Sequence, residues 1–335
     1  MAEIRPSEGA TPRVFYYTPD HNVPSWGIGM LYTHVRLLCS SGIRAFVLHD
    51  RHPFRPQWLK MDVPRAYLDR RSLQPRPSDI VVIPEIVADG AHVRPYSRKR
   101  FLNMPCRRVV FVQGSSLIMA GLGQAQSYRE LGYEGAIAVM PHVETILAKH
   151  FNTAAAVIPP CVAPYFFAKR SQLSGSNRKR QIVFYPKMGS EDYEMAVRFL
   201  RSRLPRLGWR LLELKDKTHR QVARVMQESA FHVNVNCQES FNATVPEAMA
   251  AGCVPICYEA FGGRDFLEDG KNAYVFPNHH IFPLLERTLY AVEHYDRLQG
   301  ALRRVRRSAW ITAQGFSERQ THKALLAYFR PLLGI

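Results

Sequence analysis

Two series of short apolar runs, each followed by a stretch of helical periodicity, constrain this chain more than any other feature. In the first half the runs are "RVFYYTPD" (13–20), "IRAFVLHD" (43–50), "DIVVIPE" (79–85), "RRVVFVQG" (107–114) and "AIAVMP" (136–141). Each is closed by Pro, Gly or an acidic residue. Between the first two lie the loop "HNVPSWGIG" and the helical stretch "MLYTHVRLLCSSG", which stops at Gly42. Strands that alternate with helices in this way form βαβ units, and βαβ units make a parallel sheet.

A second series begins at "QIVFYPK" (181–187) and continues through "WRLLELK", "AFHVNVN" (230–236), "VPICY" (254–258) and "NAYVFP" (272–277). Its helices are predicted in "EDYEMAVRFLRSRL", "THRQVARVMQES" and "EAMAAG". "AAAVIPP" (154–160) closes the first series, and "KRSQLSGSNRKR" (169–180), polar and poor in apolar residues, reads as a linker. At 335 residues the chain is long enough for two cores. The expectation is two Rossmann-like parallel-sheet α/β domains facing across a cleft. Residues 1–168 form the first, 181–310 the second, and 311–335 a C-terminal helix that packs back toward the first. No shorter repeat suggests a solenoid.

Lys and Arg total 45 against 28 Asp and Glu, a formal net charge of +17. A field of that sign gathers anionic partners such as nucleotides, phospholipid headgroups or nucleic acid. The short basic groups are "SRKR" (97–100), "RR" (107–108), "RKR" (178–180) and "RRVRR" (303–307). They are not interleaved with aromatics on one element, and no helix-turn-helix, zinc or RNP signature accompanies them, so a specific nucleic-acid binder is disfavoured. No apolar run approaches the roughly 18 residues that cross a bilayer, and "MAEIRPSEGATPR" lacks a signal-peptide core, so a cytoplasmic protein is expected. The six cysteines show no CxxC pair and no His/Cys spacing typical of zinc; they read as reduced core residues, and no metal is expected.

In open α/β sheets ligands bind beyond the carboxyl ends of the strands, which directs attention to the loop after "AFHVNVN". There "CQESFNATVPEAMAAGCVPICYEAFGG" (237–263) carries Glu239 and Glu247 eight positions apart. Thr244 and Glu247 fit a capping box, with Thr244 as N-cap. The backbone amides of 242–245 then point out of a helix N-terminus, a ready place for phosphate. A carboxylate beside that terminus accepts hydrogen bonds from vicinal sugar hydroxyls.

"ESFNATVPEAMAAGCVPI" (239–256) resembles the donor-binding signature of retaining GT-B glycosyltransferases of the group-1, or GT4-like, family. There, two glutamates bracket seven residues ahead of "EAMAxGxPV". The likeness extends more loosely over 181–277, including "FYPK" and "GGRDFLEDGKNAYVF"; the first half agrees in pattern only. The resemblance implies a nucleoside-diphosphate sugar as donor (UDP-, GDP- or dTDP-linked) and no cofactor; the acceptor is expected to be a glycan, a lipid-linked molecule or one of lipopolysaccharide type. It implies that Glu239 lies against the donor sugar and the reacting centre, and that Glu247 holds the ribose hydroxyls, with Ser240, Phe241, Asn242, Ala243 and Thr244 as the rest of the donor loop. The family has glycines where this chain has Ser240 and Asn242.

Lys187, at the end of a strand, matches the basic residue that family members set against the diphosphate, where a cation stabilises the leaving group. A second lysine is usual five residues later; here that position is Asp192, and Arg264 is the substitute considered. In the first half Gly27 and Gly29 of "WGIGM" permit close backbone approach to a ligand, and Tyr32 at the third position rules out a dinucleotide fingerprint. Many members carry a sugar-contacting histidine after the fourth strand; this chain has Gln113, which hydrogen-bonds but is no base, while His142 follows the next strand. Basic faces on the first domain are read as contacts for an anionic membrane surface or a phosphorylated acceptor. The alternative enzyme is a sugar-nucleotide epimerase, or a related non-transferase, of the same architecture.

Overall fold

A computed structural model of the chain describes residues 11–91, 93, 98, 101–174, 178–186 and 190–335. Lys187 lies outside the described residues. The chain divides into two compact units, one of residues 1–158 with 321–335 and the other of 159–320.

The first unit is built on a seven-stranded sheet in the order β3-β2-β1-β4-β5-β6-β7, parallel throughout. Its strands are β1 (Val14–Tyr17), β2 (Ala45–His49), β3 (Arg65–Tyr67), β4 (Ile80–Pro84), β5 (Arg107–Val112), β6 (Gly135–Ala138) and β7 (Ala156–Val157). β1, β4 and most of β5 are wholly buried, as parallel strands covered on both faces must be. Its helices bounded by described residues include α1 (Trp26–Ser40), α2 (Ile118–Leu122) and α3 (Pro141–Phe151). Ser25 caps α1 by accepting from the Ile28 amide. Gly27 and Gly29 therefore sit inside the first turn of α1, not in the loop before it. The strand order 3-2-1-4-5-6 reverses direction between β1 and β4, and the loops leaving those strands form the switch point at which such sheets bind ligands.

The second unit has a five-stranded parallel sheet, β12-β11-β10-β8-β9. Its strands are β8 (Lys179–Phe184), β9 (Arg210–Glu213), β10 (Ser229–Asn234), β11 (Val254–Tyr258) and β12 (Tyr274–Phe276). The helices are α4 (Arg170–Ser174), α5 (Glu191–Arg203), α6 (His219–Glu228), α7 (Thr244–Ala251), α8 (Ala260–Gly263), α9 (Ile281–Glu293) and α10 (Gln299–Gln314). Read from β9, the order is 2-1-3-4-5, with its switch point between β8 and β10. Ile182, Phe184, Phe231, Val233, Val254 and Ile256 form the sheet's share of the core, and Trp209 meets Tyr295 edge-on at 4.9 Å. From Val245 to Ala251 every residue of α7 is buried, and its alanines let it lie close against α10.

The last helix, α11 (Glu318–Leu333), belongs from Thr321 onward to the first unit. There Phe329 packs on Tyr16 with ring centroids 6.2 Å apart, and Arg107 donates to the Leu332 carbonyl at 2.9 Å.

The segment 169–180 departs from the linker expected. It holds α4, with Leu173 buried, and the first two residues of β8. Its polar composition misleads because Arg178 is a core residue: the guanidinium donates to the carbonyls of Ser229 at 3.0 Å and Ala251 at 2.9 Å, where α6 and α7 end.

Other basic residues are paired within the chain, Arg306 in the core and the rest at or near the surface. Arg306 is fully buried and donates to the Leu173 carbonyl; Lys179 pairs with Glu228 and Arg180 with Asp296. Arg107 pairs with Glu134, and Arg108 donates to the Leu102 carbonyl. Of "SRKR" only Arg98, which is exposed, lies among the described residues. Among the described residues no helix is long and apolar enough to cross a membrane.

Candidate functional site

The switch point of the second unit gathers the predicted donor loop. β10 ends at Asn234, whose side-chain amide faces that of Asn242 in a reciprocal pair: each NH₂ donates to the other's oxygen, at 3.1 and 2.9 Å. Both residues are buried. Asn234 also accepts from the Asn236 amide at 3.0 Å and donates to Thr244 Oγ1 at 2.9 Å. Asn242 has φ +53°, the left-handed region where glycine is the usual choice and asparagine the next best. Asparagine thus holds a backbone conformation suited to glycine and adds two buried hydrogen bonds.

Phe241 turns its ring into the core, 5.1 Å from Phe316 and 6.4 Å from Phe266. These contacts anchor the loop. The carbonyl of Ser240 lies so close to Gly262 that a Cβ there would come within 2.0 Å of it, and the Gly262 amide donates to the Glu239 carbonyl at 3.2 Å. A glycine is required at 262 for the backbones to approach this closely. Glu239 is half-buried, with Asn236 Nδ2 donating to its Oε1 at 3.4 Å.

α7 begins at Thr244 with Ala243 as its N-cap, and no side chain caps it. The capping box expected between Thr244 and Glu247 does not form. Of the amides expected to face a phosphate, that of Val245 donates instead to the Asn242 carbonyl at 3.0 Å. Glu247 turns sideways to α6, where its Oε1 lies 2.7 Å from His219 Nε2. His219 Nδ1 lies 2.7 Å from the hydroxyl of Tyr165, completing a Tyr–His–Glu chain. Burial works to lower the His219 pKa, but the hydrogen bond and charge of Glu247 prevail and raise it above the ordinary histidine value. His219 and Tyr165 escape sequence reading. The nearest signal is the capping box of Thr218 and Gln221, which places His219 as the first residue of α6.

Glu239 and Glu247 share a neighbour in Tyr185, at the exit of β8. Burial first, then the charges of Glu247 and Glu239, raise its phenol above the ordinary pKa. Arg264 is held outside this group: its Nη2 donates to Glu259 Oε1 at 2.8 Å, on an exposed surface. Asp192 accepts from the Tyr258 hydroxyl and stands beside His279.

In the first unit Gly27 and Gln113 are brought together: a Cβ on Gly27 would meet Gln113 Oε1 at 3.2 Å. That oxygen is buried without a hydrogen-bond partner among the described residues. Gly29 has nothing within 4 Å of where its Cβ would stand. Behind Gln113 sits Glu85, at the end of β4, buried and accepting from the Gly114 amide at 2.7 Å. Burial pushes its carboxyl up to about 7, against the lowering effect of the backbone amides. His142 lies in the first turn of α3.

No protein-family model and no curated protein matches the sequence. Solved structures do match its fold. A glycosyltransferase from Rickettsia africae superposes with a TM-score of 0.67 at 13% identity, over 96% of this chain and 99% of that one. HepE of Anabaena, crystallised with UDP, gives 0.66 at 12% identity over 96% and 100%. A sucrose-phosphate synthase from Thermosynechococcus elongatus gives 0.66 at 10% identity over 96% and 99%. The fold, two α/β units each on a parallel sheet, is the GT-B fold of glycosyltransferases.

Proposed function

We infer that the protein is a glycosyltransferase, moving a sugar from a nucleoside-diphosphate sugar to an acceptor hydroxyl with retention of configuration and without a metal in the transfer step. The observation that carries this reading is the pair of carboxylates, Glu239 in the loop after β10 and Glu247 in the first turn of α7, at the switch point of the second sheet. It is supported by the fold and by HepE, a protein of the same fold that was crystallised with UDP and with UDP-glucose.

Glu247 is suited to the ribose: His219 occupies one carboxylate oxygen and fixes the group, leaving the other to accept from a hydroxyl. Glu239 is assigned to the donor sugar and the reacting centre. Lys187 is assigned to the diphosphate, where a cation offsets the charge that develops as the glycosidic bond breaks. The departing diphosphate takes the acceptor proton, so transfer relies on positioning and charge and makes no demand for a base at Gln113. Gln113, with a buried unpartnered oxygen beside Gly27, is assigned to an acceptor or donor hydroxyl. The acceptor is a glycan or lipid-linked glycan, approached along the exposed part of the basic surface.

The test is calorimetric and kinetic. Glu247→Ala should weaken nucleotide binding at least tenfold, whereas Glu239→Ala should lose turnover with nucleotide affinity largely kept. Equal activity in both variants and the parent would sink the assignment. Donor consumed at full rate with no acceptor present would replace transfer by epimerisation.

A further inference from the structure

On the second unit three donors of different chemistry converge from three elements. Asp192 comes from the first turn of α5, Cys237 from the loop after β10, and His279 from the turn after β12. One atom from each, a carboxylate oxygen, a thiol sulfur and an imidazole nitrogen, lie within 4.8 Å of one another. His279 Nδ1 stands 3.0 Å from Asp192 Oδ2, and the Tyr258 hydroxyl donates to that same oxygen at 3.0 Å.

We propose that Asp192, Cys237 and His279 form a zinc(II) site. Ligands held at zinc bond lengths around a tetrahedron stand roughly 3.3–3.6 Å apart, so the Asp192–His279 pair at 3.0 Å opens slightly and the thiol closes from within 4.8 Å by about 1 Å to hold an ion. The donor set selects the metal. A sulfur beside an imidazole suits zinc and is foreign to magnesium and calcium, which take oxygen ligands. The Tyr258 hydroxyl supplies the outer hydrogen bond that orients a ligating carboxylate.

The cluster is reached from solvent at His279. His279 is 75% exposed while Asp192 is 16% exposed, which leaves an entry path and room for a water as fourth ligand. Loading releases the thiol proton of Cys237; a neutral His279 moves its hydrogen to Nε2 and turns its Nδ1 lone pair from Asp192 to the metal. No electron is exchanged. Cys237 lies two residues before Glu239 in the chain, so a loaded ion ties the loop bearing that glutamate to α5 and to the β12 turn. The proposal does not rest on the glycosyltransferase reading, and no step of the transfer passes through the metal.

The full chain, stripped with a chelator and dialysed, would be titrated with zinc against a chromophoric competitor, and separately loaded with cobalt(II). One zinc per chain is expected, with a thiolate-to-cobalt charge-transfer band in the near ultraviolet. The thiolate band matters because the chain has 13 histidines, any of which can chelate weakly at the surface. Cys237→Ser should abolish the band, and His279→Asn should weaken zinc at least tenfold, while both variants unfold without metal at the same temperature as the parent. Cobalt binding with no thiolate band, or zinc affinity unchanged in Cys237→Ser, would overturn the site.

Discussion

Asn242 allows the donor loop's architecture to be measured directly. Its φ of +53° and its two amide bonds to Asn234, at 3.1 and 2.9 Å, are separate contributions that two substitutions divide. Asn242→Gly keeps the left-handed backbone at no steric cost but loses the amide pair. Asn234 is not stranded by this, because it keeps Asn236 and Thr244 as partners. The expected loss is therefore about 1–2 kcal/mol, the net worth of two buried hydrogen bonds. Asn242→Ala loses the same pair and places a Cβ in the left-handed region, which costs about 1 kcal/mol more. Urea unfolding followed by far-ultraviolet circular dichroism orders the three proteins, and the predicted order is parent, Gly, Ala. Alanine no worse than glycine would refute the left-handed backbone. Both variants within about 0.5 kcal/mol of the parent would refute the amide pair.

Two further outcomes concern pH. Glu85, with its carboxyl pushed up to about 7 from an ordinary 4.5, holds in the folded state a proton that the unfolded chain releases; its stabilisation is full below about 4.5 and lost as pH rises through about 7. At 1.36 kcal/mol per unit this amounts to about 3 kcal/mol, so Glu85→Gln should remove a pH dependence of that size from the unfolding free energy between about pH 4.5 and 7, and an unchanged pH dependence would contradict the buried carboxyl. His219, raised above 6.5 by Glu247, contributes stability that is complete below its unfolded value and fades as pH climbs through the raised one. Because the side chain is half-exposed the effect is below about 1 kcal/mol, and it is better read by imidazole NMR: a midpoint at or below 6.5 would show that the Glu247 contact is absent.

The sheets were legible because buried parallel strands leave runs that nothing else in a soluble chain resembles. β3 was not, since Arg65–Tyr67 is three half-buried residues with no apolar run. The donor loop was legible as a motif, but its internal wiring was not. The Asn234–Asn242 pair depends on one left-handed residue folding the chain back, and the Glu247–His219 contact joins two helices across 28 positions of sequence. Periodicity describes neighbours on one element and is silent on both. Arg178 and Arg306 misled for a related reason: polar letters were read as surface, whereas carbonyls at helix ends and beside α4 accept their donors.

The return of α11 to the first unit has a consequence for biosynthesis. Tyr16, in β1, waits for Phe329, more than three hundred residues later, before that ring packs on it. The first unit is thus completed only after the second has been made. During translation the second unit can fold to completion while the first still lacks its final helix. A gene fragment ending at the division after Ile158 encodes a sheet missing part of its cover, so a transplantable version of that unit must carry residues 321–335 spliced back on.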